Sequence, residues 1–333
     1  MEKKIEITGE VLTALNMQLG DTIFAEVFRN EKLGKIFPET NIIYHYTSIF
    51  GLISILESQS LFCTNINFLN DKREFKYGVS IIEEVIQKLK KENFENSILK
   101  IVEVRIDQIY KVERYVTCFS KQGDLLSQWR AYTNQGKGVS IGFDLHKIDS
   151  SLDKHISGKH IEYDQDLQLQ VIEEIFRIII VFFLERKDIF DWTNQNFDNH
   201  VSYVIIDFIQ EIISSYKSDS FKEEQEYRFQ YVIDGNMVKK EEVDIFFRSS
   251  DTLIIPYVKL ETKYRKFLRD KENGEYESAG AYPTILLKNL PIKEIIIGPS
   301  LVYEDIKFGI EELLLKHNYE NVRILKSDIP YRL

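Results

Sequence analysis

Tyr44–Leu56 reads YHYTSIFGLISIL. Its first residues continue a β-rich run from Asn41 (NIIYHY). Thr47 or Ser48 then suits a helix N-cap, and Leu and Ile recur at helical spacing through FGLISILES. A strand that turns at once into a capped helix sets His45, Tyr46 and Thr47 at a strand end beside free helix-start amides. Three further segments place polar groups beside apolar runs in the same way. They are FLNDKREF (Phe68–Phe75), CFSKQGDLLSQWRAY with GKGVSIGF (Cys118–Phe143), and EEQEYRFQY (Glu223–Tyr231). A core element has no need of His45, Asn70, Asp71, Ser120, Glu226 and Arg228 at its edges. A binding cleft has.

Outward from these motifs the chain alternates strands and helices. Strands are expected at Ser60–Ile66, Tyr115–Ser120, Val139–Leu145, Lys159–Tyr163, Glu224–Ile233, Thr252–Leu260, Ile292–Ile297 and Val322–Lys326. Helices are expected at Tyr77–Lys91, Ile98–Gln108, Leu125–Tyr132, Leu167–Lys187, Phe197–Tyr216 and Val302–Lys316. The class is α+β, with a split or bent central β-sheet and flanking helices. Residues 1–38 form a lead segment, and 39–333 form one domain with a helical insertion at about 167–216.

Composition narrows the functions. In 333 residues, 44% hydrophobic, there is ample material for a large core. A net charge of −10 gives no global basic field, so a nucleic-acid target requires a local basic patch. Two cysteines, Cys63 and Cys118, read as buried free thiols in a reducing compartment. The longest apolar run, Ile175–Leu184, is interrupted by Arg177 and is too short for a membrane span. The N-terminus shows no apolar signal core. The reading is a cytoplasmic protein with no membrane partner.

Each motif carries two readings. His45 suits a ligand hydroxyl, or a neighbour inside the sheet. Asp71 with Glu74 suits a capping box, or with Asn70 a polar ligand contact. Trp129 and Tyr132, three apart on one helix, suit a core or a stacking platform. Glu224, Glu226 and Arg228 at period-two spacing share one strand face, as a site or a solvated ladder. Gly136 and Gly138 make no phosphate loop. No H-E-x-x-H or C-x-x-C is present, and no metal is expected.

In order, YHYTS–GL–IL, FLND–x–x–E, CFS–x₈–W–x–x–Y with GVSIGF, and E-x-E-Y-R resemble a bacterial family of uncharacterised proteins, number 2971 among the domains of unknown function. KEIIIGP (Lys293–Pro299) and KSDIPYR (Lys326–Arg332) agree with it. More distantly, IIYHYTSIFGLISILES is similar to the first motif of ADP-ribosyltransferase-like folds, in their DNA- and RNA-modifying members. That resemblance implies NAD as substrate, with His45, Tyr46 and Thr47 at the ribose and carboxamide. It implies Ser120 on a middle strand, a catalytic Glu226, and Arg228 holding Glu226 or a phosphate. The sequence departs from the pattern in lacking a Ser-Thr-Ser strand. The function expected is an NAD-consuming transferase or glycohydrolase, as a toxin or phage-defence effector. Its expected partners are a nucleotide, a nucleic-acid or protein acceptor, and a companion in a defence operon. Two alternatives stand beside it: a metal-dependent nuclease using Asp71, Glu224 and Glu226, and a non-catalytic nucleotide-sensing or protein-interaction module.

Overall fold

The computed structural model describes residues 4–28, 41–69, 74–152, 156–192, 196–233, 243–250, 252–262 and 287–330. Along the chain run β1 (Ile5–Glu6), α1 (Gly9–Ile23), β2 (Ile42–Ser48), α2 (Ile49–Ser58), β3 (Ser60–Asn65), α3 (Glu74–Lys91) and α4 (Asn96–Arg105). There follow β4 (Glu113–Ser120), α5 (Leu126–Tyr132), β5 (Gly138–Asp144), α6 (Leu145–Ser151), β6 (Ile156–His160), α7 (Gln165–Arg186), β7 (Phe190–Asp191) and α8 (Phe197–Ile213). The remaining strands are β8 (Glu226–Ile233), β9 (Phe246–Ser250), β10 (Leu253–Glu261), β11 (Ile292–Ile297) and β12 (Arg323–Lys326), with a helix at Tyr303–Lys316 between the last two.

The chain is α+β, and it divides into two compact units. One gathers residues 39–69, 113–159 and 222–333; the other gathers 1–38, 70–112 and 160–221. The division differs from the expected one, in which 1–38 only led into a single domain. Among the described residues, ten strands of the first unit form one mixed sheet, in the order β12-β11-β5-β2-β4-β3-β10-β9, with β8 added between β4 and β6. The five strands expected to share a sheet, at Ile42, Val116, Val139, Glu226 and Glu294, do so. The expected Lys159–Tyr163 strand lies earlier, at Ile156–His160.

Local chemistry builds the opening of this sheet as read. Ser48 Oγ accepts the Gly51 amide at 3.0 Å and starts α2. Gln59, with φ 53°, ends it in the left-handed conformation, and its amide bonds Ile55 O at 2.8 Å. The Gln59 side chain then accepts the Leu290 amide at 2.9 Å and the Tyr319 hydroxyl at 2.8 Å, so this buried amide is satisfied. One face of the sheet is apolar. Ile43, Phe119, Ile141, Phe143, Phe229 and Ile295 are buried there under Leu52 and Leu56 of α2 and Ile310 and Leu314 of the Tyr303–Lys316 helix. Each fully buried aliphatic or aromatic side chain of this kind contributes about 1.5–3 kcal/mol.

The helical unit has its own core, built from α1, α3, α4, α7 and α8. β1 pairs β7 in parallel through Ile5 and Phe190. Gly78 lets α3 and α8 approach, since a Cβ there would lie 2.9 Å from Ile213 Cβ. Both helices expected in the 167–216 stretch are present, and their buried side chains complete this core. Arg177, in the middle of the most apolar run, is held by Glu173 through Nε at 3.1 Å and Nη2 at 2.9 Å, and also pairs Glu92. Among the described residues no helix is long and apolar enough to cross a membrane.

Candidate functional site

The sheet narrows at one place. β2 runs fully paired with β5 from Ile42 to Ser48, but meets β4 at the single pair Tyr44–Ser120. On its other edge β4 is paired with β8 along its whole length, Glu113–Ser120 against Glu226–Ile233. The two halves of the sheet therefore join through little ladder hydrogen bonding on the β2 side.

Register then decides which side chains share a face, because strand side chains alternate. Glu294, Gly142, Tyr44, Ser120 and Glu226 are successive cross-strand partners from β11 through β5, β2 and β4 to β8. They make one transverse row on the face opposite the apolar core. Cys118, Arg228, Val116 and Gln230 extend that face along β4 and β8.

The row's end is ionic. Glu226 and Arg228 are 3% and 1% exposed. Arg228 donates through Nε at 2.8 Å and Nη2 at 2.7 Å to the same carboxylate oxygen, Oε1 of Glu226. A buried carboxylate demands such a partner, since an unpaired one would cost several kcal/mol. Directly across the ladder, Ser120 Oγ accepts the Gln122 amide at 3.1 Å. At the opposite end Tyr44 donates its hydroxyl to Glu294 Oε1 at 2.7 Å, and Arg323 pairs the other Glu294 oxygen. Burial, and then the Glu294 carboxylate, push the Tyr44 hydroxyl well above its usual pKa, so it stays protonated. Tyr44 can lie across the sheet because two glycines flank it. A Cβ at Gly142 would sit 3.0 Å from its Cε1, and one at Gly123 only 2.4 Å.

His45 faces the other way. It neighbours Tyr44 on β2, so alternation sends it to the apolar side, where its ring lies 5.6 Å from Phe119. Nδ1 donates to the Cys118 carbonyl at 3.1 Å and stands in for a ladder bond that β2 does not supply. Burial holds this imidazole below its usual pKa, so the ring is neutral at pH 7. Ser120, Glu226 and Arg228 thus come together on one face, and His45 does not join them.

Tyr46 is on the polar face but covered. Its hydroxyl donates to Gln122 O at 2.8 Å and accepts the Leu125 amide at 3.0 Å. Its ring meets Trp129 edge-on at 4.9 Å. Trp129 is fully buried and donates to Asp124 Oδ1 at 2.6 Å, so it is a core anchor, while Tyr132 is 42% exposed. Thr47 packs against the start of α2, where a Cβ on Gly51 would strike its hydroxyl. Glu224 is not on the strand. It ends a 3₁₀ turn at Asp219–Glu224, and Gln225 with φ 45° breaks the alternation before β8 begins. Asn70 and Asp71 lie outside the described residues, as does the side chain of Glu74. Gly136, with φ 82°, lies in the turn before β5, and Gly138 opens β5, where its carbonyl accepts the Gly298 amide at 2.9 Å.

Tyr44, Gln230 and Glu294 also belong to the polar face, and no sequence signal marked them as site residues. Each is a lone polar or weakly polar residue inside an apolar strand, with partners far away in the chain. Cys63 and Cys118 are both free thiols; Cys63 is buried as expected, which pushes its thiol up to about 12, whereas Cys118, on the polar face of β4, is only half-buried. Among the described residues no three His, Cys, Asp or Glu side chains are grouped to hold a metal ion.

A mixed, ten-stranded sheet backed by helices, with a buried carboxylate–guanidinium pair where it narrows, defines an α+β protein with one polar sheet face. The family model described as "Protein of unknown function (DUF2971)" matches residues 128–229, which contain Trp129, the Val139–Phe143 strand, Glu226 and Arg228. The match is to this segment, about a third of the chain, and is shorter than the Tyr44–Arg332 span suggested by the motifs. No curated protein and no solved structure matches the chain.

Proposed function

We propose that the chain is an NAD-consuming transferase or glycohydrolase working on the polar face at Ser120, Glu226 and Arg228. The observation that carries this is the Glu226 carboxylate, buried, held by two bonds from Arg228, and set opposite a serine hydroxyl where the sheet narrows. Cleaving a nicotinamide–ribose bond develops positive charge on the sugar, as glycoside cleavage does. A fixed carboxylate in a dry site stabilises that charge with no reorganisation. Arg228 keeps Glu226 ionised and aimed, and Ser120 offers a hydroxyl to a sugar or carboxamide. His45 acts from behind, as the brace that keeps β2 and β4 in place. The role as a toxin or phage-defence effector, with a nucleic-acid or protein acceptor, belongs to this same reading.

Nicotinamide release from NAD, followed by chromatography with the full-length protein, tests it. Wild type should release nicotinamide and Glu226→Gln should not, while both give the same circular dichroism spectrum. NAD at roughly 100 times its dissociation constant should also stabilise the fold by about 2.7 kcal/mol. Absence of both nicotinamide release and any NAD-dependent melting shift would sink the reading.

A further inference from the structure

A second feature lies at the far end of the sheet, on β3, β10 and β9. Thr64 pairs Tyr257, which pairs Phe246, and Phe62 pairs Lys259. Alternation therefore puts Phe62, Tyr257, Phe246, Lys259 and Arg248 on one face. Their rings form a column. Phe62 and Tyr257 stack at 4.0 Å and 28°, and Tyr257 and Phe246 at 5.6 Å and 27°. The column is not sealed: Phe62 is 39% exposed, and among the described residues β9 ends the sheet.

Two cations flank it. Lys259 Nζ sits 4.3 Å from the centre of the Phe246 ring. Arg248 is exposed, and its contact is a long 3.4 Å bond to Thr64 Oγ1. Neither cation has a carboxylate within ion-pair distance among the described residues. In a chain of net charge −10, two cations left without acidic partners beside stacked rings are the reverse of the surrounding composition.

We propose that this strip binds single-stranded nucleic acid, with unstacked bases continuing the ring column and backbone phosphates meeting Arg248 and Lys259. Every base has a π-face, so such a column accepts any sequence, and the cations supply the phosphate contacts. A duplex buries its base faces against one another and cannot use the column. The strip shares no residue with the Glu226 face, and its test needs no NAD.

Fluorescence anisotropy of the full-length protein with labelled oligo-dT and oligo-U of about 12 nucleotides, beside a duplex of the same length, reads it directly. Binding of either single strand, with the duplex weaker, is the expected result. With two phosphate contacts, log K should fall with log salt at a slope of about −1.4. Phe62→Ala should weaken binding roughly tenfold or more. Arg248→Ala should make the slope shallower by about 0.7. Melting curves check that the variants fold, and if Phe62→Ala does not, Arg248→Ala and Lys259→Ala carry the test. The proposal is overturned by absence of single-strand binding, by equal affinity for the duplex, or by folded variants that bind as wild type does.

Discussion

The Glu226–Arg228 pair supports a double-mutant cycle whose outcome follows from its geometry. Both side chains are buried, and two nitrogens of Arg228 donate to one oxygen of Glu226 at 2.8 and 2.7 Å. Arg228→Met removes the charge and both donors but keeps much of the stem volume. It leaves a carboxylate in a dry site, at a cost of about 3–5 kcal/mol. Glu226→Gln keeps an acceptor oxygen for both donors and loses charge assistance, about 1 kcal/mol per bond and so about 2 kcal/mol. The double variant holds no charge to strand, so its cost should fall short of the sum by about 1–3 kcal/mol. The chain's two tryptophans help the measurement, because Trp129 lies in the sheet unit and Trp192 in the helical unit. Urea titration in a Trp192→Phe background therefore reports the sheet unit through Trp129 fluorescence. Costs that add within about 0.5 kcal/mol would refute the coupling and with it the view that Arg228 keeps Glu226 ionised.

Three further outcomes follow. Burial depresses the His45 pKa, so the unfolded chain binds this proton below about pH 6.5 while the folded chain resists it. Stability from this group is complete above that pH and falls as pH drops below it, by at most about 1.4 kcal/mol per unit. His45→Gln should flatten the slope in the sheet unit's melting between about pH 5 and 7, and an unchanged slope there would contradict the assignment. His200, depressed by the same cause, should leave a matching slope in the helical unit. Gly123→Ala would put a Cβ 2.4 Å from Tyr44 and 2.7 Å from Ile296; it should cost about 1–3 kcal/mol by urea titration, and a neutral result would mean that the loop over Tyr44 yields freely. Asp124→Ala removes the acceptors of Trp129 Nε1 and Ser327 Oγ, both at 2.6 Å, and of the Asp328 amide at 2.8 Å. The Ser327–Ile329 stretch should then be cut faster by a broad-specificity protease, and unchanged digestion would show that other contacts hold it.

Local chemistry was legible in the sequence wherever cause and effect lie within a few residues. The Ile42–Ser48 strand, its Ser48 cap and the Ile49–Ser58 helix follow from neighbouring side chains, and all three are present. The periodic runs of α3, α7 and α8 were equally plain, because helical spacing alone reveals a buried stripe. Their shared core with α1 and α4 was not legible, since it joins three separate segments, 1–38, 70–112 and 160–221, that carry no mark of one another.

The candidate site divides along the same line. That Glu226 and Arg228 share a face follows from their spacing in one strand. Adding Glu224 failed, because a single left-handed residue, Gln225, resets the alternation, and nothing in the side-chain pattern of E-x-E-x-R announces it. Grouping His45 with Ser120 failed for a different reason. Which side of the sheet each occupies depends on Tyr44 being the partner of Ser120, a register between strands about seventy residues apart. A shift of one residue would have reversed every face. The sequence by itself determined which strands carry polar groups and which helices are capped, since those are properties of short peptides. Only the tertiary structure decided which polar groups meet, because strand register is set by the packing of the whole sheet.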